Sequence, residues 1–250
     1  MKHILFILLF WFSIISCSTK KINSVTVVAT TSWTAAYAMA AGAADVSVLA
    51  PYEMVHPSEY ELRPGDIARL NSSRLIVYAG YEVIVSQLKT GLNLPDNKMV
   101  KIATSYNYEE IEKSVLLIAA KLGTEQIAIK NLKEIKDLLL KGKAEVQKIG
   151  FDKQPVLVHF FQDSFAKEMG ITAAAIFGPA PPEPKQIMEM AQTKAILILD
   201  NAHSPVGGPI SEILKKREYR LLLNFPGLYN TRSIADVIRY NTLQITSGNK

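Results

Sequence analysis

The stretch TEQIAIKNLKEIKDLLLKGKAEVQKI, residues 124–149, decides the fold. Its apolar residues recur at mostly helical spacing with lysines and glutamates between them, and Gly142 alone interrupts the pattern. A periodic pattern of this length predicts one long helix without a strand on its near side. The helix separates two parts of the chain that have similar size.

On both sides of this helix, short runs of Val, Ile and Leu alternate with helical patterns. Apolar strands that alternate with helices are typical of a parallel sheet covered on both faces. We therefore predict an α/β fold of two lobes, each with a mainly parallel sheet flanked by helices, joined by one long linker helix. The predicted bounds are 25–123 for the N-terminal lobe, 124–149 for the linker helix and 150–250 for the C-terminal lobe. The predicted strands are Val25–Ala29, Val46–Ala50, Leu75–Ala79, Met99–Ala103, Val156–Phe161, Thr172–Phe177, Ala195–Leu199 and Arg220–Asn224.

The first residues have the layout of a secretory signal. Lys2 and His3 precede an apolar run, Ile4–Ile15, that is too short to span a bilayer, and small Ser16 leads into Cys17. This ending resembles a bacterial lipoprotein signal, in which the cysteine is acylated and becomes the new N-terminus. The alternative is an ordinary signal peptide with an incidental cysteine. We predict a signal peptide at 1–16, a lipidated tether at 17–24, and an extracytoplasmic body anchored to the membrane, at the cell surface or in the periplasm.

Composition narrows the classes of function. Cys17 is the single cysteine of 250 residues, so no internal disulfide can form and the core alone must hold the body. The net charge of +5 is modest, and the lysines at 130–148 have no arginine or aromatic residues interleaved, so nucleic acid is not an expected partner. We expect a monomer. Asp200 and His203 have no nucleophile in a recognisable motif beside them, so we do not expect an enzyme.

Several motifs occur in a characteristic order along the body. They are Pro57–Glu61 with Pro64–Leu70, Leu75–Glu82, His159 with Phe165–Gly170, and Pro184–Ile187 with Arg239–Leu243. In these motifs, from about Val25 to Leu243, the chain resembles the metal-binding solute-binding proteins that serve ABC importers of zinc and manganese. The resemblance implies a binding protein that captures a divalent metal between its lobes, Zn²⁺ first and Mn²⁺ second, and delivers it to an importer permease.

The chain also departs from the pattern of that family. The family's first ligand histidine directly follows the proline, where this chain has Ser58, and His56 lies two residues earlier. The region of the second histidine, residues 106–109, contains none, and the late carboxylate ligand falls near Asn224, an amide. Only His159 matches a family ligand position. Two alternatives therefore stay open: the same fold with a site for an organic or chelated solute, and a surface interaction protein such as an adhesin.

Three histidines of the mature chain fall where a cleft between the lobes is expected, because ligands of open α/β sheets lie beyond the carboxyl ends of the strands. Zn²⁺ favours imidazole and carboxylate ligands, typically four, and His56, His159 and His203 with Asp200 or Glu59 would supply them. Each has an alternative role. His159 would be a hydrogen-bonded core histidine, His203 and Asp200 would cap the turn that follows, and Glu59 would be solvated. Metal affinity is expected to fall as pH drops through the histidine pKa range.

Overall fold

The computed structural model describes residues 26–91, 94–215 and 217–247. The predicted signal peptide, Cys17 and the tether lie outside the described residues. The strands are β1 Thr26–Ala29, β2 Asp45–Val48, β3 Leu75–Tyr78, β4 Met99–Lys101, β5 Val156–His159, β6 Ala173–Phe177, β7 Leu197–Asn201 and β8 Glu218–Leu222. The helices are α1 Ser32–Ala40, α2 Pro64–Ser72, α3 Ile84–Gly91, α4 Tyr108–Leu122, α5 Glu125–Ile149, α6 Asp163–Glu168, α7 Pro184–Gln192, α8 Gly208–Ile213 and α9 Ile234–Thr246.

The strands form two four-stranded sheets, with the orders β2-β1-β3-β4 and β6-β5-β7-β8. All pairs are parallel, so every connection between neighbouring strands crosses over, mostly through a helix. The central strands are rich in Val, Ile and Leu because both of their faces are covered, and β3 is buried at every position. The predicted fold class, two α/β lobes with parallel sheets, is confirmed.

The long helix α5 has 25 residues and begins within one residue of its predicted start. Its buried residues Leu132, Ile135, Leu139 and Val146 recur at helical spacing on one face, which packs against α1, α4 and α9. Gly142 lies on the same face, where a Cβ atom would come within 2.7 Å of the Thr242 hydroxyl oxygen of α9. A residue without a side chain is therefore what lets α5 and α9 approach so closely.

One continuous apolar core joins the two lobes. It extends from Val27 of β1 through Leu132 of α5 to Leu199 of β7 and Ile245 of α9. Two smaller clusters cover the opposite faces of the sheets, one around Ile76 and one around Ile198. Because the shared core fixes the sheets to the α5 layer, the carboxyl ends of their strands are held in a constant relation to one another.

Strand β5 is shorter than predicted. The strand ends at His159 instead of Phe161, because the His159 side chain accepts a hydrogen bond from the Phe161 backbone N–H and the chain turns into a single 3₁₀ turn at Phe160–Gln162. Strand β7 in contrast continues two residues beyond its predicted end, to Asn201. Within the described ranges, no helix combines the length and the apolar character needed to cross a membrane.

Candidate ligand-binding cleft

A cleft of about 790 Å³ lies between the lobes. Every strand is followed by a segment that contributes to its lining, as expected for open parallel sheets. The lining residues lie at 31, 33, 55–58, 81, 104, 105, 110, 160, 161, 163, 164, 179, 201, 203, 204, 224 and 225. The cleft therefore occupies the place that the topology predicts, and its volume is that of a site for a small organic molecule.

Aromatic rings form much of the wall. Trp33 stacks on Tyr106 with ring centroids 5.8 Å apart, and its ring also lies 6.4 Å from that of Phe225. Phe225 in turn stacks on His203 with a centroid distance of only 3.7 Å. Phe160 also lines the cleft and exposes 56% of its surface, which is unusual for a large apolar residue at the end of a central strand.

His203 and Asn224 bring polar atoms into this aromatic wall. Both residues are more than nine-tenths buried and line the cleft. Neither ring nitrogen of His203 has a hydrogen-bond partner, and neither has the Asn224 side-chain oxygen. Burial lowers the pKa of His203 from 6.5 to about 4, so its imidazole is neutral at physiological pH. A neutral imidazole and an amide oxygen are both competent to bind a metal or to hydrogen-bond a solute.

His159 does not line the cleft. It is fully buried at the end of β5, and its Nδ1 accepts the Phe161 N–H at 3.1 Å. In the neutral ring the proton must then lie on Nε2, so the lone pair that a metal would need is not there. Nε2 faces Gly178 closely, since a Cβ atom on that glycine would lie 2.5 Å from it. Burial lowers the pKa of His159, which keeps the ring uncharged.

Asp200 is also fully buried, and its carboxylate serves the loop that follows β7. It accepts hydrogen bonds from the backbone N–H groups of Asn201, Val206 and Gly207, at 2.7, 3.0 and 2.7 Å, and from the Tyr219 hydroxyl at 2.5 Å. Three of these donors share Oδ2 and one contacts Oδ1, so the loop and Tyr219 engage both oxygens of the carboxylate. The position of Asp200 is that of a residue that holds a turn.

Of the five predicted ligands, His56 and His203 line the cleft, whereas Asp200, His159 and Glu59 do not. His56 and Glu59 are both exposed in the loop after β2. Throughout the described residues, no group of three or more His, Cys, Asp or Glu side chains lies close enough together to hold a metal ion. The five predicted ligands are therefore not assembled at one centre in this structure.

The loop that contains His56 is fixed to the strand edge through a buried carboxylate. Glu82 accepts hydrogen bonds from the Thr30 hydroxyl at 2.6 Å and from the Ala79 and Gly80 N–H groups at 2.8 and 2.6 Å. The next residue, Val83, donates its N–H to the Ser58 carbonyl at 2.9 Å. Glu82 therefore positions the turn after β3, and that turn supports the loop.

Comparison with known proteins identifies the fold. The solute-binding protein FpvC from Pseudomonas aeruginosa, solved with Mn²⁺, has a TM-score of 0.69 and 17% identity over 89% of this chain and 97% of its own. The Ni²⁺ complex of the same protein has a TM-score of 0.67 and 18% identity over 90% of this chain and 98% of its own. The Mn-bound periplasmic metal-binding protein from Candidatus Liberibacter asiaticus has a TM-score of 0.64 and 14% identity over 88% of this chain and 98% of its own. The chain has the fold of these periplasmic binding proteins. No protein-family model and no curated protein sequence matches it.

The aromatic part of the cleft is not among the site residues predicted from the sequence. Trp33 is the second residue of α1, four positions after the end of β1, and Phe225 follows β8 directly after Asn224. Both occupy the segment beyond a strand end, the same position that drew attention to His203. An aromatic residue just beyond a strand end is a signal for a cleft wall. Aromatic residues at such positions also pack in cores, so the sequence does not distinguish the two roles.

Proposed function

We propose that this chain is an extracytoplasmic solute-binding lipoprotein that captures divalent-metal cargo in the cleft between its lobes and delivers it to an ABC importer. The observation that carries the proposal is His203, a buried and neutral imidazole in the cleft wall whose two nitrogens have no partner. The fold supports it as well, because the neighbouring solved structures named above are metal-binding proteins. The proposal involves no chemical transformation of the solute.

The proposed protein ligands are fewer than the sequence predicts. His203 and His56 line the cleft and offer imidazoles, and Asn224 offers an amide oxygen. His159, Asp200 and Glu59 stay predictions that require a rearrangement before they reach the same centre. Imidazole ligands favour Zn²⁺ over Mn²⁺, which prefers oxygen ligands, so Zn²⁺ is the proposed cargo and Mn²⁺ the second candidate.

The proposed location depends on Cys17. A lipid on this residue would keep a monomeric binding protein close to its permease at the membrane surface, since several acyl chains anchor a protein stably. The partner is accordingly the permease of an ABC importer, and no nucleic acid takes part.

The test is the metal content of the exported protein, purified without chelators and measured by elemental mass spectrometry. Wild type should carry close to one equivalent of zinc or manganese, and His203→Ala should lose most of it because the buried imidazole is gone. Glu53→Gln is the matched control, since Glu53 is exposed in the same loop as His56, does not line the cleft and is not a predicted ligand. A wild-type metal content no higher than that of His203→Ala would contradict the proposal.

A further inference from the structure

The cleft presents too few ligands for a bare metal ion. Protein sites for Zn²⁺ usually supply three or four side chains that share one centre. Within the described residues no three His, Cys, Asp or Glu side chains converge, and His159 and Asp200 are committed to hydrogen bonds of their own. Most of the donor atoms around a metal in this cleft must therefore come from something other than the protein.

The shape and surface of the cleft suit a molecule far larger than an ion. Its volume of about 790 Å³ lies in the range of roughly 300–1,000 Å³ that is typical of sites for small organic ligands. Trp33 and Phe225 contribute ring surface to the wall, and Phe160 and Phe161 leave 56% and 40% of their surfaces exposed. Flat aromatic ligands stack favourably on such rings.

The unpartnered polar atoms show where such a ligand would be held. His203, 6% exposed, and Asn224, 7% exposed, line the cleft, and the ring nitrogens of His203 and the amide oxygen of Asn224 are buried in its wall without a partner. The Trp33 indole N–H also has no partner. Buried polar groups without partners destabilise a protein, so a ligand that bonds to them recovers free energy that the unliganded chain lacks.

The charges in the wall limit the charge of the ligand. Glu110 and Asp163 line the cleft, whereas the described residues place no lysine or arginine in its lining. The Lys167 ammonium pairs with Asp163 at 2.6 Å but is itself outside the lining. Because Lys167 already offsets the charge of Asp163 and no cation in the described lining offsets Glu110, the cleft favours neutral and cationic ligands.

We infer that the cleft takes its metal as a complex with a flat, aromatic-faced organic chelator, neutral or cationic overall, rather than as a bare ion. The chelator supplies most of the coordinating atoms and stacks on the rings of the wall. His203 and Asn224 supply the remaining contacts, to an open coordination position or to the polar edge of the chelator. This inference rests on the proposed function, and it specifies the chemical form of the cargo.

The experiment compares four probes by isothermal titration calorimetry on the mature chain. They are the equimolar zinc–phenanthroline complex, which is cationic and carries a flat aromatic ligand, free Zn²⁺, phenanthroline alone, and zinc bis(dipicolinate), which carries aromatic rings and is dianionic. Since ring stacking and the added contacts to His203 and Asn224 favour the cationic complex, it should bind at least about tenfold more tightly than each of the others.

Two variants locate the binding site. Phe160→Ala removes an exposed ring of the cleft and should weaken the zinc–phenanthroline complex about tenfold while leaving the affinity for free Zn²⁺ unchanged. Tyr229→Ala is the matched control, because Tyr229 is a comparably exposed aromatic residue, 60% against 56%, that does not line the cleft. His203→Ala should weaken the complex too, and circular dichroism confirms that each variant is folded.

The outcomes separate this inference from the proposed function. Free Zn²⁺ binding as tightly as its complex would overturn the inference and leave the proposed metal capture intact. Phenanthroline alone binding as tightly as the complex would overturn both, because the solute would then be organic and without metal. The inference would also be overturned if Phe160→Ala and Tyr229→Ala weakened binding of the complex equally. It would be overturned as well if no probe bound.

Discussion

His203 should make the folded protein sensitive to acid. Its imidazole is buried against Phe225, and burial lowers its pKa from 6.5 to about 4. Since the folded state binds the proton less readily than the unfolded state, protonation favours unfolding. The free energy of unfolding should therefore be unaffected above the unfolded pKa of 6.5 and should fall progressively as pH drops from 6.5 towards 4.

The size of the effect follows from the two pKa values. Near pH 4.5 the unfolded imidazole is almost fully protonated and the folded one mostly neutral, which lowers the free energy of unfolding by about 2.5 kcal/mol relative to pH 7.5. Below pH 4 the loss approaches about 3.4 kcal/mol. A loss of this size is a large fraction of the roughly 5–15 kcal/mol that stabilises an ordinary domain.

The assay is urea unfolding of wild type and His203→Phe at about pH 7.5 and about pH 4.5, followed by circular dichroism. Phenylalanine keeps a ring against Phe225, has no titrating nitrogen, and loses no hydrogen bond, because neither nitrogen of His203 has a partner. All other titrating groups are common to both proteins and cancel. Between the two pH values, the free energy of unfolding of wild type should fall by about 2.5 kcal/mol more than that of the variant. Equal losses in the two proteins would refute the reasoning, since they would mean that His203 is protonated as easily folded as unfolded.

Three further predictions concern the anchor, the fold and the site. Cys17→Ser should move the protein from the membrane fraction to the soluble extracytoplasmic fraction, with no lipid mass on its N-terminal peptide; unchanged membrane association would contradict the anchor. Gly227→Ala should lower the free energy of unfolding by more than about 2 kcal/mol, because its φ is +143° and a Cβ atom would lie 2.2 Å from the Tyr52 carbonyl oxygen; Gly65→Ala, with no atom within 4 Å of its Cβ position, is the urea-unfolding control. Asn224→Asp places a carboxylate in the cleft wall and should raise the affinity for free Zn²⁺ about tenfold in calorimetry, and an unchanged affinity would show that this position does not face the metal.

The fold could be predicted because the sequence repeats one simple signal. Buried strands such as β3, LIVY at Leu75–Tyr78, are apolar at every position, and only a parallel sheet covered on both faces makes that pattern favourable. The helix α5 was equally clear, since its apolar stripe continues for 25 residues without a proline. What could not be predicted is where β5 stops. Val156–Phe161 is apolar apart from His159, and a hydrogen bond from the Phe161 backbone N–H to the His159 side chain ends the strand at that histidine.

That single hydrogen bond also explains two departures from the predicted site. It commits Nδ1 of His159 to the backbone, and it moves Phe160 and Phe161 out of the sheet and into the cleft lining. Sequence spacing locates a residue near a strand end, but it does not reveal whether its polar atoms bond to the local backbone or are left for a solute. The same holds for Asp200, whose carboxylate accepts hydrogen bonds from three backbone N–H groups and a tyrosine hydroxyl.

Polar residues at the strand ends therefore fall into two groups that sequence alone does not separate. His159 and Asp200 hold the loops in place, and replacing them should disturb the geometry of the cleft indirectly. His203 and Asn224 differ from them, because both ring nitrogens of His203 and the side-chain oxygen of Asn224 are buried without a hydrogen-bond partner. Because no hydrogen bond within the described residues uses those atoms, a solute in the cleft is the partner that we propose for them. An amide at Asn224, beside the ring of Phe225, is what a cleft adapted to an organic complex needs, whereas a carboxylate there would serve a bare cation better.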